Sequence, residues 1–168
     1  DALRKYFDPR QMKPRFGLDG EPDSTGGSTG EPTHFLHDLE MIRAKTAANY
    51  YTRLQMGWKP GMATVVVWGS ERDIGKTTPW RTRLYLDLCR THLVAGYRLI
   101  PQTVERVFTL IKQEQPVAIY GFSSMLEYVA REVERMQVPI PTGSVKTAWN
   151  GGEMLFPEQS AVFQSAFG

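Results

Sequence analysis

The chain has 168 residues and a mass of 19.1 kDa, which suits one domain of ordinary size. Hydrophobic residues make up 41% and charged residues 23%, as in globular proteins, so a wholly disordered chain is excluded. Its 20 Lys and Arg against 18 Asp and Glu leave a net charge of +2, which is not the surplus of a nucleic-acid-binding protein. The single cysteine, Cys89, excludes an internal disulfide and a four-cysteine zinc site.

No segment has the composition of a membrane span. The longest apolar run, residues 63–68, is far shorter than the about 20 residues that cross a bilayer. No signal peptide is evident, so we expect a cytoplasmic protein. Because the chain begins with Asp1, we also expect it to be truncated at both ends.

The first segment, residues 1–34, is rich in Gly and Pro and is predicted to be a loop-rich entry to the α/β portion over 35–168. From Phe35 the apolar side chains follow the helical period, which predicts a helix ending near Gly57. The residues of that face are Phe35, Leu39, Ile42, Thr46, Tyr50 and Leu54.

Three later segments are predicted to be strands. Residues 63–68 are apolar and β-branched on both faces, as in a strand buried within a parallel sheet. Residues 117–120 and 145–149 have a similar composition, and each precedes a predicted helix, over 124–136 and 157–167. A further helix lies between the first two strands, marked by Val104, Val107, Phe108 and Ile111. The fold predicted is a three-layer α/β fold with a mostly parallel sheet and flanking helices.

Polar or glycine-containing turns follow these strands. The helix at 124–136 opens on Ser124-Met125-Leu126-Glu127, which has the pattern of a capping box. Ligands of parallel sheets bind at the carboxyl ends of the strands. We therefore expect Gly69–Ser70, Gly121–Ser124 and Asn150–Glu153 to lie together at one edge of the sheet.

A candidate phosphate loop lies near the start of the chain, at Thr25-Gly26-Gly27-Ser28-Thr29-Gly30. Its glycines let backbone amides approach an anion closely, and its hydroxyl groups add hydrogen-bond donors. The same composition is also typical of a flexible linker, so both interpretations stay open at this point.

The segment from Thr25 to Pro32 resembles the phosphate-binding signature of adenylate-forming enzymes: acyl-CoA synthetases, adenylation domains of peptide synthetases, and luciferases. It departs from that signature in having Gly26 in place of a hydroxyl residue and in lacking a basic residue near its end. Residues 119–124 and 150–155 are similar in order and approximate spacing to motifs of phenylacetate–CoA ligases and of relatives labelled capsular-polysaccharide synthesis proteins. The resemblance extends from about Ser24 to Gly168.

What the resemblance implies is a fragment of the N-terminal domain of an ATP-dependent ligase. The carboxylate of a small acid attacks the α-phosphate of ATP, pyrophosphate leaves, and the acyl-adenylate passes its acyl group to a thiol, commonly coenzyme A. Oriented amides and Mg²⁺ stabilise the transferring phosphoryl group. The partner implied is this acid, with no nucleic acid and no membrane span, and a homodimer stays an open alternative for the assembly.

The resemblance also assigns residues. Thr25, Gly26, Gly27, Ser28, Thr29 and Gly30 would hold the β- and γ-phosphates. Gly151, Gly152 and Glu153 match a turn whose backbone passes along adenine, although the residues alone are equally typical of a simple strand-to-helix turn. Trp68, Gly69, Tyr120, Gly121 and Phe122 would border an acyl pocket, although aromatic residues of this kind also occur as ordinary core residues. The catalytic residues are expected beyond Gly168, with no metal ligand in the chain, so the isolated chain is predicted to be inactive.

Two alternatives to the ligase come from other classes of protein. Residues 69–77 nearly form a Walker A loop, but five residues separate Gly69 from Gly75 where that motif has four. The acidic partner for such a loop, Asp87, falls in a predicted helix. A non-catalytic interaction module derived from the ligase fold is the other alternative.

Residues 72–106 hold seven basic and three acidic side chains. This surplus of positive charge would attract a phosphorylated ligand or simply be solvated.

Overall fold

The computed structural model describes residues 20–24, 34–69, 79–96, 100–137 and 139–168. The chain forms two compact units, divided between Arg53 and Leu54. Among the described residues, no helix has both the length and the apolar composition needed to cross a membrane.

The first unit contains a two-stranded antiparallel sheet followed by a helix. Strands β1 (Gly20–Ser24) and β2 (His34–Asp38) pair so that Ser24 lies opposite His34, and α1 (Leu39–Gln55) follows directly. The predicted phosphate loop, residues 25–30, belongs to the connection between β1 and β2 and lies outside the described residues.

The prediction of a helix from Phe35 was wrong by four residues. Residues 35–38 pair with β1, and the helix begins only at Leu39. The side chain of Asp38 sets this start, because its Oδ1 accepts a hydrogen bond of 2.7 Å from the backbone N–H of Met41. A carboxylate in this position satisfies an amide that has no partner within the helix.

The second unit is an α/β structure with a parallel sheet. Its elements in chain order are β3 (Ala63–Val67), α2 (Trp80–Leu88), β4 (Thr91–Val94), α3 (Pro101–Glu114), β5 (Val117–Gly121), α4 (Ser123–Arg135), β6 (Val145–Asn150) and α5 (Pro157–Phe167). The four strands pair in parallel in the order β4-β3-β5-β6. The predicted α/β class and all three predicted strands are therefore confirmed.

Strand β4 was not predicted. It has only four residues, and three of them are partly exposed, so the buried apolar run that identified β3 is missing here. Its position is decided by pairing with β3, which places Val94 beside Val67.

The hydrophobic core lies between the sheet and helices α3 and α4. Alternate residues of the central strands, including Val65, Val67 and Ile119, are fully buried. They belong to the same cluster as apolar residues of the two helices, among them Ile111 and Leu126. Burial of one apolar stripe on each helix explains why these two helices follow the 3.6-residue period clearly.

An arginine joins three segments at the amino edge of the sheet. Arg90 follows the C-cap of α2 with a φ of 49°. Its guanidinium donates to the carbonyl of Gly61 at 3.0 Å and to Oε2 of Glu114 at 2.6 Å. The hydrogen bond from Arg90, and next the charge of His92, hold the pKa of Glu114 below its ordinary value. The loop before β3, the turn before β4 and the end of α3 are thus held together.

Substitution Ile119→Ala should lower the free energy of unfolding by about 2–5 kcal/mol, because it leaves a cavity in a fully buried site. The matched control is Leu88→Ala, since Leu88 is 76% exposed and should change stability by less than about 0.5 kcal/mol. Urea unfolding followed by tryptophan fluorescence measures both. Equal effects of the two substitutions would contradict the described core.

Substitution Arg90→Gln should lower the free energy of unfolding at pH 7 by about 0.5–1 kcal/mol, as for partly exposed ion pairs. The folded pKa of Glu114 is depressed, so the Arg90–Glu114 pair stabilises the fold at pH values above 4.5, the ordinary pKa of this carboxyl. The stabilisation is lost as the pH falls through the folded pKa. The difference from the original chain should therefore shrink between pH 5 and pH 3 in urea unfolding. Arg81→Gln, whose guanidinium lies over the Trp80 ring, is the control and should show no such pH dependence.

Candidate functional site

Three turns meet at the carboxyl edge of the sheet, as the sequence predicted. The register aligns Val67 with Gly121 and Gly121 with Asn150, so β3, β5 and β6 end at the same level. The backbone N–H of Gly151 donates to the carbonyl of Gly121 at 3.1 Å, joining the turns after β6 and β5. After β3, the carbonyl of Gly69 accepts from the N–H of Gly96 at 3.2 Å, and Ser70 lies outside the described residues.

A row of four aromatic side chains runs along this edge. The Trp68 ring stacks on Phe122 with ring centroids 3.9 Å apart and lies 5.4 Å from Tyr120. Trp149 continues the row, with its centroid 5.7 Å from that of Tyr120. All four side chains are partly exposed. The row is a partly exposed apolar surface beside the ends of the strands.

Sequence reasoning placed Trp68, Tyr120 and Phe122 together but left Trp149 out of the site. Trp149 joins the row because the register of β5 and β6 pairs it with Tyr120. The sequence contained one signal that could have identified Trp149, because this residue lies directly before the turn that begins at Asn150. Which residue of β5 lies beside Trp149 depends on the strand register, which is a property of the tertiary structure. The pairing of β5 with β6 also shifts in register between Val117 and Ala118.

The two glycines of the turn after β6 are required by its close approach to this aromatic row. A β-carbon at Gly151 would lie 2.5 Å from the Tyr120 hydroxyl oxygen. A β-carbon at Gly152 would overlap the Phe122 ring, and Gly152 also has a φ of +79°. Only glycine combines this conformation with this contact. The turn therefore packs its backbone directly against Tyr120 and Phe122.

Glu153 links the same turn to the start of helix α4. Its Oε2 accepts a hydrogen bond of 2.8 Å from the backbone N–H of Ser124, and its Oε1 accepts one of 3.0 Å from the Ser124 hydroxyl. Asn150 adds a second link, because its Nδ2 donates to Oγ of the buried Ser123 at 2.8 Å and to the Glu153 carbonyl at 2.7 Å. A carboxylate is favoured at a helix N-terminus by the unpaired amides and the helix dipole.

The predicted capping box over 124–127 was wrong. The helix begins at Ser123, one residue earlier, and the groups of Ser124 bind Glu153. The carboxylate of Glu127 instead accepts hydrogen bonds from Gln159 at 2.8 Å and Arg131 at 2.9 Å, which lower its pKa in that order. Ser124 therefore binds the distant Glu153 and not Glu127, the local partner that the sequence pattern indicated.

The described residues at this edge of the sheet do not form an assembled catalytic group. Both oxygens of the Glu153 carboxylate are engaged by Ser124, so this side chain serves a structural role. Within the described ranges, no group of three or more His, Cys, Asp and Glu side chains could hold a metal ion. Of the alternative loop over 69–77, only Gly69 is described, and Asp87 lies on α2 as predicted.

The comparisons with known proteins give a likeness of fold. No protein-family model and no curated protein matches the chain. Among solved structures, it is similar to 2-hydroxyisobutyryl-CoA ligase in complex with 2-HIB-AMP and CoA in the thioesterification state, with a TM-score of 0.59 and 21% identity. An open conformation of that ligase, also with 2-HIB-AMP and CoA, gives a TM-score of 0.56 and 18% identity.

The match includes most of this chain but a minor part of the ligase. It covers 88% and 87% of this chain in the two comparisons, and 31% of the ligase chain in each. At these identities the likeness shows the fold alone. The chain thus has the α/β fold of about a third of an acyl-CoA ligase.

Substitution Glu153→Ala should lower the free energy of unfolding by about 1 kcal/mol, because Ser124 loses the acceptor of both hydrogen bonds. Hydrogen exchange of the Ser124 amide should accelerate at least about fivefold, the factor that corresponds to this free energy. Glu105→Ala, on the exposed side of α3, is the matched control and should leave the Ser124 amide unchanged. Unaltered exchange in the Glu153 variant would refute the link between turn and helix.

Proposed function

We propose that the chain is part of an ATP-dependent ligase of the phenylacetate–CoA ligase type. The enzyme would activate a carboxylic acid as its acyl-adenylate and transfer the acyl group to a thiol, with coenzyme A as the acceptor. The observation that carries this proposal is the hydrogen-bonded junction of residues 119–124 and 150–155, the two stretches that resemble ligase motifs. Their position at the carboxyl edge of a parallel sheet is where ligands of such sheets bind.

The turn at Gly151–Glu153 is proposed to border the adenine of ATP. One side of this turn is already occupied, because Tyr120 and Phe122 fill the space that side chains at Gly151 and Gly152 would need. The nucleotide would therefore use the other side, where the backbone of Gly152 is exposed. The hydrogen bonds from Ser124 to Glu153 would hold the turn in place without any ligand.

The aromatic row is proposed to form one wall of the acyl pocket. Trp68 and Phe122 present stacked, partly exposed rings, and Tyr120 and Trp149 extend that surface. Such a wall favours an acid with a planar or bulky apolar body, since stacking and burial of apolar area both contribute to binding. Gly69, two residues after β3, and Gly121, the last residue of β5, are proposed to complete this region. A β-carbon at Gly121 would lie 2.7 Å from the Val67 carbonyl oxygen, so glycine there allows close packing of the strand ends.

The phosphate groups are proposed to bind at residues 25–30, which lie outside the described residues. Glycine amides and the hydroxyls of Thr25, Ser28 and Thr29 are suited to phosphate oxygens. Mg²⁺ bound with the nucleotide would supply positive charge that stabilises the leaving pyrophosphate.

A pyrophosphate-release assay tests the proposal with ATP, Mg²⁺, coenzyme A and a panel of aryl and alkyl acids. A longer protein that contains this chain should release pyrophosphate only when a suitable acid is present, and the isolated 168-residue chain should release none. In the longer protein, Trp68→Ala should raise KM for the acid at least about tenfold, because a pocket contact of this size contributes about 1–3 kcal/mol. Phe108→Ala, on α3, is the control and should leave KM unchanged.

The alternatives predict other outcomes of the same assay. ATP hydrolysis that needs no acid and disappears with Lys76→Ala would indicate a Walker-type NTPase. Failure of the longer protein to bind or consume ATP would indicate an interaction module. Robust turnover by the isolated chain would contradict the prediction that it is an inactive part of the enzyme.

A further inference from the structure

A cleft of about 230 Å³ lies beside strand β4, at one edge of the described sheet. Three basic side chains from three different elements line it: Arg83 from α2, His92 from β4 and Arg106 from α3. Leu86 and Leu93 also line the cleft and give it an apolar portion. Because the basic groups come from separate elements, the fold sets their relative positions.

The charge of the cleft lining is positive. Asp87 is the one carboxylate among the described residues that line it, against the guanidinium groups of Arg83 and Arg106. The carboxylate of Glu114 lies outside the lining, where Arg90 donates a hydrogen bond to it at 2.6 Å, and its Oε1 is 3.6 Å from Nε2 of His92. Two of the seven basic residues in 72–106, Arg83 and Arg106, thus line this one cleft.

His92 has hydrogen-bonding capacity that the described structure does not use. Its Nε2 is buried and makes no hydrogen bond, and the nearest carboxylate oxygen, Oε1 of Glu114, is 3.6 Å away. Buried polar atoms nearly always have a partner, so this nitrogen calls for an explanation. His92 lines the cleft together with the two arginines, and an imidazole N–H can donate a hydrogen bond to an anion.

We propose that this cleft binds a phosphate group, either free or carried as a phosphomonoester. Guanidinium groups match the oxygens of phosphate with paired hydrogen bonds, and donors from three elements suit an anion with several oxygens. The volume exceeds the share of one water molecule, about 30 Å³, several times over, so a phosphate and a small attached group fit. The inference does not depend on the proposed ligase activity.

Nuclear magnetic resonance of the full chain tests this site. Inorganic phosphate and phenyl phosphate are titrated separately at pH 7 and constant ionic strength, while the Nε–Hε signals of the arginines and the imidazole signals of His92 are recorded. Both ligands should shift the signals of Arg83, His92 and Arg106 along a saturating curve. Tighter binding of phenyl phosphate would identify a phosphomonoester as the preferred source of the group, and tighter binding of inorganic phosphate would identify the free ion.

Substitutions of the arginines and of the aspartate in the cleft should change phosphate affinity in opposite directions. Arg83→Gln and Arg106→Gln should each weaken phosphate binding at least about tenfold, because a charge-assisted pair of hydrogen bonds is lost. Asp87→Asn should tighten it about two- to fivefold by removing a like charge. Arg81→Gln changes the same net charge on α2 outside the cleft and should have little effect. Non-saturating shifts, or equal weakening by all three arginine variants, would overturn the proposal.

Discussion

The parallel pairing of β3, β5 and β6 is the constraint on which the candidate site depends. Parallel strands that start together also end together, and here Val67, Gly121 and Asn150 lie side by side. Each strand must then turn at the same edge, so short segments that are distant in sequence become neighbours. The aromatic row and the glycine turn are direct results of this alignment, because their members are the last residues of the strands or follow them immediately.

The site is stabilised by contacts between the turns themselves. The backbone of Gly151 and Gly152 packs on Tyr120 and Phe122, while Glu153 binds the first turn of α4. These contacts make the turn after β6 and the turn after β5 one structural body. They also engage both oxygens of the Glu153 carboxylate at the start of α4, so this acidic residue at the edge of the sheet serves a structural role.

The likeness to 2-hydroxyisobutyryl-CoA ligase shows the fold of the chain and assigns no role to this edge of the sheet or to the basic cleft beside β4. The resemblance in motifs and the likeness in fold come from different properties: residue order in one case and backbone geometry in the other. The cleft between α2, β4 and α3 rests on neither. Its case comes from the convergence of Arg83, His92 and Arg106 and from the unused nitrogen of the imidazole.

Periodicity and composition were sufficient for the α/β class, for strands β3 and β5 and for helices α3 and α4, because burial leaves a strong pattern in sequence. Strand β6 and helix α5 each bury one residue, and they were predicted from the composition of 145–149 and from Pro157 at the helix start. The same reasoning extended a helix back to Phe35, because an apolar period does not reveal that residues 35–38 pair with β1. It also missed β4, whose four mostly part-exposed residues carry little pattern. Local patterns record burial, whereas pairing with a distant strand leaves little local trace.

The residues of the site divide in the same way. The sequence by itself determined which turns follow the strands, and with the family resemblance it identified Trp68, Tyr120, Phe122 and Gly151–Glu153 as the residues of interest. Only the tertiary structure decided that Trp149 completes the aromatic row, that Glu153 rather than Glu127 binds Ser124, and that two arginines and His92 line one cleft. The physical reason is that hydrogen bonds and ring contacts act over a few ångströms, and strand register determines which residues come that close.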